Sequence, residues 1–451
     1  MNITKQLAEE LAALGPLQEE DRAELRRLIL DFFAAAMAGY RQNQDLNHAV
    51  ESIIFPLGGK EEASVLMTGQ RLPAAKAAFM NSLYGHGAEL DDGNKKAMGH
   101  IGVHVIPAVF ALAEKNGAGG EEVLNALAVG YEAYIRISSA AQPGMVRRGF
   151  HSTGAAGTLA CAAACARLLG LDAQGMEDAI ALATTMTGGL LSYGDSRPAI
   201  KPLNPAKAAE NGVFAAQLAA AGVRGPEEAL EGPNGWFHAV TDHVEEAMLQ
   251  KSEHLLLHEC YYKLYPSCRH THCGIDAGIA LHRQVAPENI RRVEVYIYPN
   301  AISLAGQIHY PQNQDDTKFS IHYTMACALK NGSYGIADMD PPDLSPGMRA
   351  LIDKIELIPD PAMENREKGI RGTRVVLTDE DGRQWEETVL APKGDPEKPL
   401  SRDDILDKLK TCCGDLLSPQ EQAALAEAVE KIGGAEAFAS PIRLIGSRKE
   451  W

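Results

Sequence analysis

The sequence predicts a mainly α protein with an α+β part: a large all-α helical domain, discontinuous along the chain, and a smaller α+β lid domain. Three observations carry this. Apolar residues recur at helical spacing almost throughout from Ile3 to about Leu255, the period switches to alternation after Cys260, and helical spacing returns from Asp403. A single core rarely grows past about 250–300 residues. The 451 residues are therefore expected to divide into a helical domain over 1–258, rejoined by 397–451, and an α+β lid over 259–396.

Each element follows from its pattern. Leu25, Leu28, Ile29, Phe32 and Phe33 mark one face of a helix over 22–38, and Ala-rich helices are expected over 74–83, 106–114, 121–140, 158–169 and 207–221. So much alanine implies helices packed at close range. No glycine-rich phosphate loop follows a strand, which argues against a nucleotide-binding βαβ fold. Beyond Cys260, residues 292–298 (RVEVYIY) and 354–358 (KIELI) alternate as strands. Residues 373–377 and 384–390 flank Asp381-Gly382 as a hairpin, with helices near 272–282, 320–330 and 346–352. Ile405, Leu406 and Leu409, then Leu425, Ala426 and Val429, return the chain to helix.

Composition narrows the function. A formal net charge of −17 without a Lys/Arg cluster excludes nucleic acid and anionic membrane surfaces as partners. No run approaches the roughly 18 apolar residues of a membrane span, and the charged, amphipathic start MNITKQLAEELAALG is unlike a signal peptide, so a cytoplasmic protein is expected. The eight scattered cysteines are expected to be reduced, and mostly buried.

The densest chemistry lies in residues 85–107, GHGAELDDGNKKAMGHIGVHVIP, which gather His86, Glu89, Asp91, Asp92, Lys95, Lys96, His100 and His104 between two apolar helical patterns. This reads as a functional loop on a rigid scaffold, or else as solvated carboxylates with His100 capping a helix. Four more polar clusters interrupt apolar surroundings. His151-Ser152-Thr153-Gly154 precedes a helix start, where free N–H groups favour an anion. Lys201-Pro202-Leu203-Asn204-Pro205 is a polar turn before a helix. Lys263 to Cys273 places Lys263, Cys268, Arg269, His270 and His272 at the expected domain junction, and Phe319-Ser320-Ile321-His322-Tyr323 opens a helix of the lid. The two Cys and two His within 268–273 are too compressed for a zinc knuckle. His100 and His104 have the i,i+4 spacing of zinc helices without the intervening Glu, so no metal is expected. Together the clusters supply carboxylates, imidazoles, cations and a phenol. That set suits proton abstraction next to a carboxylate, with no redox cofactor.

In this order the motifs ELDDG, GHIGVHVIPAVFALAE, GFHSTGAAGTLACAAA, KPLNPAKAAENG, GPNGWF, KLYPSC and KFSIHY resemble the MmgE/PrpD family, which includes 2-methylcitrate dehydratase, cis-aconitate decarboxylase and iminodisuccinate epimerase. The resemblance spans about residues 5–445. It implies a cofactor-independent homodimer acting on a small anionic carboxylate at a site between the two domains. It implies site roles for His100, His151, Lys201, Lys263, Tyr323 and Asp91 as catalytic residues, and for Glu89, Asp92, Arg269 and Cys268 as substrate-binding residues. Three departures bear on the reaction. Glu89 and Gly93 stand where many members have Asp and Thr, the usual His-Pro is His100-Ile101, and Cys268 replaces the histidine of decarboxylase-type members. The expectation is a hydro-lyase of the 2-methylcitrate dehydratase type. The alternative is an epimerase in which Cys268, its thiolate supported by Arg269 and His270, serves as a second base. A decarboxylase and a non-catalytic homologue stand further back.

Overall fold

A computed structural model of the chain describes residues 2–192, 200–365, 369–434 and 438–445. The chain forms two compact units, Met1–Tyr261 with Ser401–Trp451, and Tyr262–Leu400.

The first unit is built almost wholly from helices. Glu19–Gln42 starts on Glu19, Glu20 and Asp21, whose negative charges suit a helix N-terminus, and Asp21 accepts from the Gln18 N–H. It buries Leu25, Leu28, Ile29, Phe32 and Phe33, each contributing about 1.5–3 kcal/mol of transfer free energy. Helices Ala74–His86, Gly102–Asn116, Gly120–Ala140, Ser152–Leu168 and Leu203–Ala220 form the centre. Alanine and glycine bring them close together. A Cβ on Gly212 would stand 2.2 Å from that of Cys161, so these two helices approach backbone to backbone. The C-terminal helices Arg402–Cys413 and Pro419–Glu430 belong to this unit, and each starts on a serine capping box.

The second unit carries a four-stranded sheet in the order Gln384–Val389, Thr373–Asp379, Ile290–Ile297, Ile355–Pro359. The first two pairings are antiparallel and the last is parallel. The alternation of Ile290–Ile297 puts Val293, Val295 and Ile297 into the core, where helices His272–His282 and Ile321–Asn331 supply Ile275, Leu281, Met325 and Leu329. This is the mainly α plus α+β class that the sequence predicts.

Several boundaries differ from the sequence reading, and each has a physical reason. Helix Ala74–His86 runs three residues further than expected, because Tyr84, Gly85 and His86 are themselves buried. The next helix starts at Gly102, four residues before its expected start, and carries Pro107 past its first turn, where the helix forgoes the N–H bond to the Val103 carbonyl. Helix Ser152–Leu168 starts six residues before Thr158, so His151 is its N-cap residue. Residues 222–255, part of the stretch expected to be helical almost throughout, hold only short helical turns such as Trp236–Val240 and Glu246–Leu249.

Candidate active site

Shortened at both ends, the polar stretch becomes a connection from Gly87 to Ile101 between two packed helices. Its carboxylates are buried rather than solvated, with Glu89 5% exposed, Asp91 1% and Asp92 3%. A carboxylate taken out of water is costly unless hydrogen-bonded or paired, and here each one is engaged.

Asp92 anchors the loop. Its Oδ1 accepts from the Gly102 N–H at 2.9 Å, satisfying one free donor of the following helix, and its Oδ2 accepts from the Tyr131 hydroxyl at 3.0 Å. A Cβ on residue 102 would meet both Tyr131 Oη and Asp92 Oδ1, so the motif requires glycine there. Burial, with Asp31 and Asp91 nearby, pushes the Asp92 pKa up to about 8. Both Asp92 carboxylate oxygens are thus hydrogen-bonded within the fold.

Asp91 lies between two imidazoles. Its Oδ2 is 2.8 Å from His86 Nδ1 and 3.3 Å from His100 Nδ1. His100 Nδ1 also lies 2.8 Å from the Asp92 carbonyl. The His86 ring centroid is 5.0 Å from that of His100 and 5.8 Å from that of His151, so three imidazoles converge on one spot. All three histidines are buried. Desolvation, reinforced by Lys201 and the other imidazoles, holds the His151 pKa well below the usual histidine range.

Local hydrogen bonds explain why His151 meets His100. Ser152 Oγ donates to the Met98 carbonyl, and Thr153 Oγ1 accepts from the His100 N–H at 3.2 Å. The hydroxyls that could have been simple helix caps instead clamp the loop carrying His100. Lys201 forms an ion pair with Glu89, and Glu89 holds a left-handed backbone, φ 56°, which is uncommon away from glycine. Asn204, one turn into the polar KPLN segment, faces His151 Nδ1 at 3.1 Å.

His104 does not join the cluster. Its Nε2 donates to the His100 carbonyl at 2.9 Å and its Nδ1 lies 3.3 Å from Cys161 Sγ, while burial holds its pKa down to about 3. It is a neutral core histidine. The i,i+4 relation to His100 has no helical meaning, because His100 precedes the helix.

His86, Asp91 and His100 stand close enough together for a metal ion. Their geometry is equally that of hydrogen bonds: each Nδ1 points at an oxygen that accepts, and a proton on each satisfies the arrangement. Oriented imidazoles account for the trio without an ion.

The second unit holds the remaining expected site residues. Lys263 is 1% exposed, and Arg269 is ion-paired with Asp395. Cys268 is a half-buried thiol whose backbone N–H donates to the Lys318 carbonyl at 2.8 Å. His270 hydrogen-bonds the Tyr298 hydroxyl, and burial together with Arg371, Arg269 and Lys263 pushes its pKa down to about 3. It therefore lends no positive charge to a Cys268 thiolate. Tyr323 is fully buried; its hydroxyl donates to the Asp338 carbonyl at 2.6 Å and accepts from the Asp343 N–H at 2.9 Å.

Sequence reasoning left His86 and Asn204 out of the site. His86 was visible only as one member of a polar run, and the signal that could have raised it is its place at the end of an apolar helix, three residues before Glu89. Asn204 sits inside a motif already singled out for its lysine.

Two family models match the chain: the MmgE/PrpD N-terminal domain over residues 5–247 and the MmgE/PrpD C-terminal domain over residues 265–433. The chain belongs to the MmgE/PrpD family. Among curated MmgE/PrpD relatives, human cis-aconitate decarboxylase is 26% identical over 96% of this chain and 92% of its own length. Cis-aconitate decarboxylase of Aspergillus terreus is 28% identical over 86% of this chain and 84% of its own. A cis-aconitate decarboxylase-like protein of Aspergillus oryzae is 26% identical over 95% and 94%. Among the described residues, no helix is long and apolar enough to cross a membrane.

Proposed function

We propose that this MmgE/PrpD chain is a lyase that removes water from a small hydroxylated di- or tricarboxylate by proton transfer. The observation that carries the reading is the convergence of His86, His100 and His151, with Asp91 bonded to two of them. Dehydration needs a base for the C–H proton and an acid for the departing hydroxyl. One imidazole takes the proton from the carbon beside a carboxylate, the C–H electron pair becomes the C=C bond, and the C–O bond breaks. The hydroxyl leaves as water with a proton from a second imidazole. His100 and His151 are the proposed pair. Asp91 orients His100, and Lys201, Lys263 and Arg269 are the proposed carboxylate-binding cations.

Decarboxylation is the second reading, favoured by the names of the relatives. It needs a group that protonates the carbon losing CO₂ and does not need a separate base. A carboxylate-oriented imidazole beside another imidazole is surplus to that reaction and fits elimination better. In heavy water with citrate, 2-methylcitrate, cis-aconitate and iminodisuccinate, an unsaturated product formed without CO₂ supports the dehydratase. Release of CO₂ replaces it with the decarboxylase, and deuterated, inverted substrate replaces it with an epimerase.

A further inference from the structure

In a neutral imidazole one ring nitrogen donates and the other accepts, and the neighbours of these rings decide which is which. The Asp92 carbonyl, 2.8 Å from His100 Nδ1, only accepts, so Nδ1 of His100 carries hydrogen and its Nε2 holds the lone pair. Asp91 Oδ2 at 3.3 Å from the same nitrogen reinforces the choice. His151 meets the opposite partner. The amide nitrogen of Asn204 lies 3.1 Å from its Nδ1, and an amide nitrogen only donates. The same Asn204 nitrogen lies 3.4 Å from the Leu190 carbonyl, which only accepts; this sets which end of the amide faces His151. Nδ1 of His151 is then an acceptor, and the proton of the neutral ring sits on Nε2.

The surroundings keep Asn204 in place. A Cβ on Gly189 would come 3.1 Å from the Asn204 amide carbon, and one on Gly154 would come 3.1 Å from its Cβ. Gly189 is held in turn by its carbonyl, which accepts from the His151 N–H at 3.0 Å. Asn204, His151 and residues 189–190 thus form one hydrogen-bonded unit.

We propose that Asn204 is a positioning residue that holds His151 in its Nε2–H form, making His151 the proton donor and His100, fixed in the opposite form, the proton acceptor of the reaction. The division of labour rests on the acid/base reading above, whereas the two tautomers do not. In a dehydration, the C–H proton goes to His100 Nε2, which becomes imidazolium, and the Nε2 proton of His151 leaves with the hydroxyl as water, leaving that ring an imidazolate; transfer of the proton from His100 to His151 through solvent returns both rings to neutral.

The test is nitrogen NMR of the full-length chain labelled with ¹⁵N-histidine, in which the His100 and His151 signals are assigned by their loss in His100→Ala and His151→Ala. The expected spectrum shows His151 protonated on Nε2 and His100 on Nδ1; His151 protonated on Nδ1 overturns the proposal without any variant of Asn204. Asn204→Asp replaces the donor by an acceptor. It is expected to move the His151 proton to Nδ1 and to lower kcat by roughly 10- to 100-fold with KM little changed. An unmoved His151 proton overturns the role of Asn204. Should that variant not fold, Asn204→Ala removes the donor without adding charge, and an unmixed Nε2–H signal from it overturns the role equally. If the tautomers are as stated but no carboxylate in the panel reacts, the reaction assignment fails and the tautomer assignment stands.

Discussion

The polar loop of the first unit and the polar segment of the second handle their charges in opposite ways. In Gly87–Ile101 the backbone is held by side chains from elsewhere, with Ser138 Oγ on the Ala97 carbonyl at 2.7 Å and Ser152 on that of Met98. The imidazoles and Asp91 are thereby left to face one another. In residues 263–273 the side chains bond within their own unit: Arg269 with Asp395, His270 with Tyr298, Ser267 with Thr271 at 2.7 Å. The first arrangement gathers three imidazoles and a carboxylate at one place. The second fixes positive charge in a defined place.

That contrast predicts how the two regions break. His100→Ala and His151→Ala are each expected to lower kcat/KM by about 10²–10⁴-fold while the urea midpoint stays close to wild type; a large loss of stability with activity retained per folded molecule would reverse the assignment. Arg269→Met should cost stability as well as substrate binding. It leaves buried Asp395 without its guanidinium, at a cost of about 3–5 kcal/mol in urea denaturation, and adding Asp395→Asn should recover much of it. Asp91→Asn keeps the volume but loses the charge that orients His100, and a fall in kcat of about 10- to 100-fold with unchanged circular dichroism is expected.

Asp92 sharpens the comparison through pH. Its folded pKa is raised from 3.8 to about 8, so between those values the folded chain binds a proton that the unfolded chain does not. Its contribution to stability is fully present below the unfolded pKa and is lost as pH rises through about 8. Wild type should therefore lose urea resistance progressively between about pH 4 and pH 8 and level off above that, and Asp92→Asn should flatten that part of the profile. An equally steep decline in the variant would place the titration elsewhere.

Much of the fold class was legible because period is a property of sequence: RVEVYIY alternates, and the sheet strand Ile290–Ile297 buries every second side chain over Val293–Ile297. The clustering of His100, His151 and Lys201 near Glu89 could be anticipated only through their motifs, since spacing alone does not bring residue 151 to residue 98. What stayed hidden depended on distant neighbours. His86 gains its place from a helix three residues longer than its pattern, and Asp92 from a tyrosine 39 residues away. Tyr323 has a hydroxyl taken up by two backbone groups that no local pattern announces.

One buried ion pair links these events to the far end of the chain. Lys408, on the helix Arg402–Cys413, reaches Asp31 at 2.6 Å and the Leu90 carbonyl at 2.7 Å, immediately before Asp91. As the chain leaves the ribosome, every imidazole of the cluster has been made long before this lysine. The loop therefore gains this anchor only after residue 408 has been made, and chains interrupted before it carry the histidines without the cation that holds the loop beside Asp91.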